Sequence, residues 1–220
     1  MERLLVVGGS GFIGREICRL AVREGCEVRS VSRSGQPNES ASWTDRVEWT
    51  AADVFSPDTW RDHLNGCDAV IHSMGTLHEA PKQGAPFERV NGDSAIITAL
   101  ESERANVESY VFISASAAPP TVRDAYITAK RRAERAIADL DLRTRILRAG
   151  PLYGKGQPHF PWFVNQGFRL LDNLNSISEQ MGDARPLPVE PVARAALAAA
   201  DMEQETPQLL DIEAIAEYRR

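Results

Sequence analysis

The chain has few cysteines and few histidines, and both shortages limit what kind of protein it can be. Its three cysteines are Cys18, Cys26 and Cys67. Because they are odd in number and widely spaced, they predict neither a disulfide framework nor a zinc site, and they fit a reducing compartment. Its four histidines are His63, His72, His78 and His159. They lack paired ligand spacing, so we expect no bound metal.

Long apolar runs and an excess of basic charge are also missing. No run reaches the roughly 18 apolar residues that a membrane-spanning helix needs, and the first apolar stretch, residues 4–7, leads straight into glycines. We expect no transmembrane segment, no targeting peptide and a cytoplasmic location, or an organelle matrix or stroma if a transit segment was removed. With 25 basic and 31 acidic residues the formal net charge is −6, which argues against nucleic acid as a partner.

What the chain does have is a regular alternation of short apolar runs and helical patterns. Strands are predicted over residues 3–7, 27–32, 47–51, 69–73, 110–113 and 144–147, and helices over residues 87–105, 124–140, 163–171 and 192–200. This alternation predicts an α/β fold with a doubly wound parallel sheet. The 220 residues suit a single domain, with a core over residues 1–150 and a small substrate-side cap together with closing elements of the fold over residues 151–220.

Three glycines, Gly8, Gly11 and Gly14, lie directly after the first predicted strand and open an amphipathic helix. In this context the first permits a tight turn, the second lets backbone N–H groups approach a pyrophosphate, and the third lets helix and strand pack closely. The phosphate would lie at the positive N-terminus of the helix. The motif therefore predicts a Rossmann-type dinucleotide site.

The end of the second predicted strand indicates which dinucleotide is bound. Sites selective for NAD place a carboxylate there to bind the ribose 2′-hydroxyl. This chain has Ser32, Arg33 and Ser34 at that place, and a guanidinium flanked by hydroxyls suits a 2′-phosphate. We expect NADP(H) to be favoured over NAD(H).

Tyr126 and Lys130 are four residues apart on a predicted helix and project from one face. An ammonium beside a tyrosine lowers the pKa of the phenol, which lets it exchange a proton with a substrate oxygen near neutral pH. The pair predicts proton transfer. The alternative is an ordinary pair of surface neighbours.

Together these residues resemble the short-chain dehydrogenase/reductase superfamily, in its extended and atypical members related to NAD-dependent epimerases and dehydratases. The resemblance covers nearly the whole chain. It implies that Asp53 contacts adenine, that Ser73 and Gly75 lie beneath the nicotinamide ribose, and that Asn91 supports the site. The cofactor-binding residues that it implies are Gly8, Ser10, Gly11, Phe12, Ile13, Gly14, Ser32, Arg33, Ser34, Asp53, Val54, Ser73, Gly75, Asn91, Tyr126, Lys130, Gly150, Pro151 and Leu152.

A narrower resemblance rests on residues 31–35, residues 113–115 and the short tail. These are similar to the atypical subgroup that contains a fungal coenzyme Q biosynthesis protein, to which the nucleotide-binding accessory subunit of complex I is related. That resemblance implies a role in isoprenoid quinone metabolism, with a hydrophobic quinone or isoprenoid as substrate or with a protein complex as partner.

One position departs from the superfamily pattern. Catalytic members carry a serine or threonine near the end of the fifth strand, whereas here Ala115 lies between Ser114 and Ser116, and the sequence leaves open which serine, if either, anchors a substrate. Three functions stay open. The first is an oxidoreductase that moves hydride to or from a carbonyl or alcohol. The others are a non-catalytic dinucleotide-binding accessory or assembly protein and a nucleotide-sugar epimerase or dehydratase, which the short tail disfavours.

The tail also contains a group of apolar side chains. Its members are Phe160, Trp162, Phe163, Phe168 and Leu171. Packing within the small cap is the explanation that we expect for them. The alternatives are a wall for a hydrophobic substrate and a contact with a membrane or a partner protein.

Overall fold

The computed structural model describes residues 1–39, 41–118, 122–158, 161–172 and 181–219. The strands are β1 (Arg3–Val7), β2 (Glu27–Ser32), β3 (Val47–Ala51), β4 (Ala69–His72), β5 (Ser109–Ala115), β6 (Arg143–Ala149), β7 (Leu152–Tyr153), β8 (Leu187–Pro188) and β9 (Leu209–Leu210). The α-helices are α1 (Phe12–Arg23), α2 (Ser94–Arg104), α3 (Ala125–Ala138), α4 (Trp162–Asp172), α5 (Val189–Ala200) and α6 (Ile212–Ala216). A π-helical segment, Glu88–Asp93, leads into α2.

Seven strands form one parallel sheet in the order β3-β2-β1-β4-β5-β6-β9. The chain builds outward from β1, first to β3 on one side and then to β9 on the other. The order therefore reverses between β1 and β4, which in open α/β sheets is where ligands bind, outside the carboxyl ends of the strands. β7 and β8 form a separate parallel pair. The predicted α/β fold with a doubly wound parallel sheet is confirmed.

Strand β1 shows why the sheet is covered on both faces. Its side chains alternate, so Leu4 and Val6 pack into the layer that contains α1 and α5, while Leu5 and Val7 pack into the layer that contains α2 and α3. All four are almost completely buried, and each stabilises the fold by about 1.5–3 kcal/mol through removal of apolar surface from water. The residues after 150 contribute to this core, because α5 packs on α1 and β9 completes the sheet beside β6.

Several element boundaries differ from the predicted ones. The predicted helix over residues 87–105 begins as the wider π-helical segment, in which the Ser94 hydroxyl donates to the Val90 carbonyl (2.7 Å). Asp124 falls just before α3 rather than within it, and its side chain makes no capping hydrogen bond in the part of the chain that the structure describes. β7, β8 and β9 each span only two residues, which is too short for a periodicity to show in the sequence.

Candidate functional site

The glycine-rich turn links β1 to α1 at the point where the strand order reverses. Gly8 has φ +88° and lies so close to β4 that a Cβ would be 3.0 Å from the Met74 amide nitrogen. A Cβ on Gly14 would collide with the Gly8 carbonyl oxygen. Gly11 is the N-cap of α1, and no described side chain caps this helix and no acidic residue lies in its first turn. The backbone N–H groups of the first turn, from Phe12 and Ile13 onward, are thus available to bind an anion such as a pyrophosphate.

Three hydroxyl groups meet beside this turn. The Ser10 Oγ donates to the Ser32 Oγ (2.9 Å) and lies 2.9 Å from the Ser34 Oγ, while Ser32 donates to the Gly35 carbonyl (3.0 Å). Arg33, between Ser32 at the end of β2 and Ser34 in the loop that follows, is exposed and has no ion-pair partner among the residues that the structure describes. The structure therefore brings Ser10, Ser32 and Ser34 together and leaves a cation beside them.

Arg15 is a residue at this turn that the sequence analysis missed. Its guanidinium lies 3.5 Å from a Glu39 carboxylate oxygen and 3.4 Å from the Gly156 carbonyl, so it links two loops that border the turn. The missed signal was electrostatic. A basic residue in the first turn of a helix opposes the helix dipole unless an anion lies there.

The end of β4 is tied to the end of β1 and to the π-helical segment. Ser73 donates both its amide (2.9 Å) and its hydroxyl (3.0 Å) to the Val7 carbonyl. The buried Asn91 side chain accepts from the Thr76 amide (2.9 Å) and donates to the Thr76 carbonyl (3.1 Å). A Cβ on Gly75 would lie 2.9 Å from the Asn91 Oδ1 and 3.6 Å from the Lys130 Nζ. Gly75, Asn91 and Lys130 therefore meet at one point.

Tyr126 and Lys130 are both buried on the face of α3 that packs on β5. The Lys130 Nζ donates to the Ile113 carbonyl (2.9 Å) and lies 5.9 Å from the centroid of the Tyr126 ring. Burial lowers the pKa of Lys130 to about 7. Burial raises the pKa of Tyr126 to about 12, although the nearby Arg131 acts in the opposite direction. The phenol is therefore protonated at neutral pH, and its hydroxyl has no hydrogen-bond partner within the described ranges.

The register at the end of β5 decides which of three residues faces the tyrosine. Ala115 packs with Tyr126 and Phe87 in one apolar cluster. Ser114 donates instead to the carboxylate of Glu134, two turns further along α3 than Tyr126 (2.5 Å). Ser114, one of the two residues that we considered as substrate anchors, therefore does not face Tyr126. The other, Ser116, is also engaged by other groups.

Ser116 lies where β5 ends. Its hydroxyl is 2.8 Å from the Asp183 carbonyl and 3.2 Å from the Ala149 carbonyl, and its own carbonyl accepts from the Arg131 guanidinium (2.8 Å). These contacts tie β5 to β6 and to the segment before β8. The structure therefore does not bring Ser114 or Ser116 to Tyr126, and the space beside the tyrosine is bordered by a methyl group.

Glu134 lies one further turn along α3 from Lys130, on the same face. Its buried carboxylate accepts from Ser114, from Arg131 (2.6 Å) and from the Arg148 Nε (3.1 Å). The hydrogen bonds from Arg148 and Ser114 and the two positive charges hold the pKa of Glu134 below its usual value, although burial acts in the opposite direction. This network joins α3 to β5 and β6 and fixes the rotation of the helix that carries Tyr126.

His72, at the end of β4, is completely buried. Its Nε2 lies 3.1 Å from the Ser94 Oγ. Because Ser94 uses its only proton on the Val90 carbonyl, the histidine must donate through Nε2, which leaves Nδ1 as an unprotonated acceptor. That Nδ1 has no partner within the described residues. Burial lowers the pKa of His72 to about 3, and the charge of Lys130 acts in the same direction.

The resemblance assigned Asp53 and Val54 to the adenine side of the cofactor. Asp53 is exposed and accepts from the Phe55 amide (3.1 Å), while Val54 is buried. Beside them the guanidinium of Arg89 stacks on the Phe55 ring, 4.1 Å from its centroid. A surface hollow of about 370 Å³ opens here, lined by Phe55, Arg89, Asp93, Ile96 and Ile97.

The segment after β6 also lies at the carboxyl end of the sheet. A Cβ on Gly150 would collide with the Arg185 carbonyl, and the Pro151 carbonyl accepts from the Leu187 amide (2.9 Å). Leu152 then pairs with Leu187 in the β7–β8 ladder. Gly150, Pro151 and Leu152 are thus held together by the segment that leads into α5.

The apolar group of the tail is not packed as we expected. Trp162 is 77% exposed and Phe163 is 60% exposed. Packing within the cap is therefore the wrong explanation for these two side chains, because α4 turns them to solvent. Phe168 and Leu171 are half-buried. Phe160, like His159, lies outside the described residues.

The described part of the chain contains neither a cluster of metal ligands nor a helix that could cross a membrane. No group of three or more histidine, cysteine, aspartate or glutamate side chains there could hold a metal ion. Among the same residues, no helix has the length and apolarity that crossing a membrane requires.

Comparison with known proteins gives a consistent family assignment. The family described as NAD(P)H-binding matches residues 8–166. MIOREX complex component 2 of Saccharomyces cerevisiae is 33% identical, over 80% of this chain and 76% of that protein. An uncharacterized chloroplastic protein of Arabidopsis thaliana is 35% identical, over 70% of this chain and 52% of that protein. A ceramide reductase of Caulobacter vibrioides is 29% identical, over 69% of this chain and 46% of that protein.

The chain thus spans about three quarters of the yeast relative but only about half of the other two. Among solved structures, MoeE5 in complex with UDP-glucuronic acid and NAD has a TM-score of 0.71 at 22% identity, covering 96% of this chain and 76% of that one. At that identity the likeness concerns the fold alone.

Proposed function

Because the chain belongs to the NAD(P)H-binding family, as an atypical member of the short-chain dehydrogenase/reductase superfamily, we propose that it is an oxidoreductase that prefers NADP(H) to NAD(H). A bound nicotinamide would supply the hydride. Residues of the turn, from Gly8 to Gly14, would hold the pyrophosphate at the N-terminus of α1.

The preference for NADP(H) is supported by the end of β2. The three hydroxyls of Ser10, Ser32 and Ser34 converge there beside the unpaired Arg33. A 2′-phosphate needs several hydrogen-bond donors and a positive charge, and this arrangement offers both. No carboxylate stands among residues 32–34 to select a ribose 2′-hydroxyl instead.

The reaction is supported by a single observation, the buried phenol of Tyr126 beside Lys130, for which the described residues offer no hydrogen-bond partner. With its pKa raised to about 12 by burial, Tyr126 is an acid at neutral pH, so it would donate a proton to the oxygen of a carbonyl that is being reduced. Lys130, whose pKa of about 7 allows it to exchange protons, would restore that proton. Asn91 would keep the Gly75 loop in place beneath them.

The substrate would be apolar. Ala115 offers no hydrogen bond where a serine would stand, so apolar contact with Ala115 and Phe87 would position the substrate. A relative that is named ceramide reductase is compatible with a lipid-like carbonyl compound. A quinone or an isoprenoid carbonyl, which the sequence resemblance implies, has the same character.

The cofactor preference is tested by calorimetric titration with NADPH and NADH. Arg33→Ala should weaken NADPH binding at least about tenfold, the loss of a charge-assisted phosphate contact, and leave NADH unchanged. Arg46→Ala removes an exposed charge from the end of the same loop and should change neither. Tighter binding of NADH by the unchanged protein would contradict the preference.

The reaction is tested with NADPH and two probes, a short-chain quinone and an isoprenoid aldehyde. Tyr126→Phe should abolish turnover without weakening NADPH binding. Ala115→Ser adds a hydroxyl that faces Tyr126 and should raise kcat/KM about tenfold or more, because it restores a hydrogen bond to the substrate oxygen.

A second function is favoured by Ala115 itself. If catalysis has been lost with the serine, the chain would hold its dinucleotide as an accessory or assembly protein, and the yeast relative is named a complex component. In a strain that depends on the protein, full function of Tyr126→Phe would support this role and rule out the oxidoreductase. The likeness to sugar-nucleotide enzymes concerns the fold and does not favour an epimerase. The cytoplasmic location and the single-domain organisation stay predictions.

A further inference from the structure

Helix α4 carries apolar side chains on two opposite faces. With successive residues about 100° apart, Val164, Phe168 and Leu171 fall on one side and are half-buried. Trp162, Phe163 and Leu170 fall on the other side and are 77%, 60% and 66% exposed. Packing on the protein explains one apolar face of a surface helix. It does not explain the second.

The exposed face belongs to a helix that is anchored in this orientation. The side chain of Asn165 accepts from the Gly154 amide (2.9 Å) and donates to the Gly154 carbonyl (3.1 Å). The rings of Trp162 and Phe163 pack edge to face, with centroids 6.3 Å apart. Asn165 thus holds the half-buried side of the helix against the loop after β7 and leaves the two aromatic rings outward.

Exposed apolar side chains are concentrated on this helix. In the described part of the chain, the large hydrophobic residues with high exposure are Trp162, Phe163, Leu170, Met202 and Leu209. Three of these five form the outward face of α4, which we call the α4 face (Trp162, Phe163 and Leu170). Single exposed hydrophobic residues need no explanation, but a cluster does.

Two basic residues lie near the α4 face, in a chain whose formal net charge is −6, while the helix itself ends at an acidic residue, Asp172. Lys155 follows Gly154, which Asn165 holds, and Arg169 lies one turn beyond Asn165 on the helix. Both are exposed, and neither has an ion-pair partner in the described ranges.

We propose that the α4 face docks on an anionic lipid membrane surface. Trp162, Phe163 and Leu170 enter the headgroup region, and Lys155 and Arg169 contact lipid phosphates. Side chains with well over half of their surface exposed protrude, and protruding side chains suit a deformable phase better than a rigid protein groove. The 11 residues of α4 are too few to span a bilayer but enough to lie in its surface.

The experiment is flotation of the whole chain with phosphatidylcholine vesicles that contain or lack phosphatidylglycerol. We expect binding to the anionic vesicles that weakens as salt is added. Replacing both Trp162→Ser and Phe163→Ser should reduce this binding about tenfold or more. Leu209→Ser removes an apolar side chain that is 42% exposed in β9, and as the matched control it should bind like the unchanged chain.

A second measurement locates the contact without disrupting it. Lipids with brominated acyl chains quench tryptophan fluorescence on contact. Trp162→Phe keeps the apolar surface, so it should still bind while losing the quenching, since Trp60 is buried and Trp43 and Trp49 pack on the core. Titration of the double variant with NADPH, expected to match the unchanged chain, keeps this test separate from the dinucleotide site.

Three results would overturn the proposal. They are the absence of flotation with any vesicle, an equal loss of binding in the Leu209→Ser control, and a concentration-dependent dimer that the double variant abolishes. The last result would assign the α4 face to a second copy of the chain. Circular dichroism of each variant establishes that a loss of binding is not a loss of folding.

Discussion

At the scale of single residues, the centre of the site contains an acid and lacks a hydrogen-bonding anchor. Tyr126 keeps its proton because it is buried, and Ala115 stands where a hydroxyl would hold a substrate oxygen. The sequence identified Tyr126 and Lys130 but left the register at 114–116 open, because alternation along a strand says which residues share a face and not which face meets the helix. Only the packing of α3 on β5 decides that question.

Glu134→Gln tests how the buried network supports Lys130. The Glu134 charge favours the ammonium form of Lys130, so its removal should lower the pKa of Lys130 further below its ordinary value. The substitution also leaves Arg131 and Arg148 without their anion, which should lower the free energy of unfolding by about 2–4 kcal/mol. This loss is smaller than that expected for a fully buried pair because both guanidiniums are partly exposed. Lysine carbon shifts in NMR and urea unfolding would measure the two effects.

The matched control for that variant is Glu101→Gln on α2. Glu101 is also buried, but its partner Arg104 has a side chain that is 67% exposed, so losing this one pair should cost about 1 kcal/mol, less than losing the Glu134 network. Equal destabilisation by the two substitutions would mean that the Glu134 network contributes no more than a single ion pair.

His72 should make the protein sensitive to acid. Its pKa is about 3 in the folded protein and near 6.5 in the unfolded chain, so between these values the unfolded chain binds the extra proton. Stability is therefore lost as the pH falls from about 6.5 to about 3, by up to about 1.4 kcal/mol per pH unit. His72→Gln keeps a donor for Ser94 without titrating, and its unfolding free energy should fall less steeply over this window.

Urea unfolding at several pH values measures that slope. A His72→Gln curve that runs parallel to the unchanged one would show that His72 takes no part in the acid response.

At the scale of elements, the best predicted part is the first β-α unit. β1, β2 and β3 have the bounds that the sequence predicted, and the glycine turn lies between β1 and α1 as its spacing implied. The π-helical segment was missed because an amphipathic pattern does not distinguish a π turn from an α turn. The π-helical geometry depends on a tertiary contact, because it lets the Asn91 side chain reach the backbone of Thr76. The two-sided α4 was missed because exposure cannot be derived from apolar character alone.

Two glycine substitutions should act in opposite directions at this scale. Gly14→Ala forces a methyl group onto the Gly8 carbonyl, so α1 must shift, which should destabilise the fold by about 1–3 kcal/mol and weaken NADPH binding. Gly167→Ala places its methyl group where, apart from the backbone of α4 itself, no atom of the described residues lies within 4 Å, and it should stabilise the protein by up to about 1 kcal/mol because α4 loses a flexible residue. Thermal unfolding of both variants checks the signs.

At the scale of the whole molecule, the alternation of strands and helices was enough to predict the doubly wound sheet, because parallel strands with helical crossovers have few other arrangements. The tail was harder to predict. Its pattern suggested a small cap and closing elements without saying which residues close the fold, and α5 and β9 are the elements that join the main core and sheet. Neither the alanine-rich α5 nor the two-residue β9 has a sequence pattern that indicates its position in the fold. Only the surface that each one covers determines that position.

Cofactor binding should stabilise the whole fold measurably. At a ligand concentration about a hundred times Kd, binding adds about 2.7 kcal/mol, which for a chain of this size raises Tm by about 5–10 °C. NADPH should therefore raise Tm more than NADH at equal concentration, and Arg33→Ala should remove the difference. Equal shifts with both nucleotides would argue that the hydroxyl cluster beside Arg33 does not select the phosphate.

The position of β9 has a consequence for the nascent chain. β6 is complete at Ala149, but the strand that covers its outer edge, β9, begins only at Leu209. At a synthesis rate of about 5–20 residues per second, this edge stays open for several seconds on the ribosome. An unpaired edge is a template for pairing with another chain. Protection of this edge in the cell therefore falls to chaperones until Leu209 and Leu210 have been made.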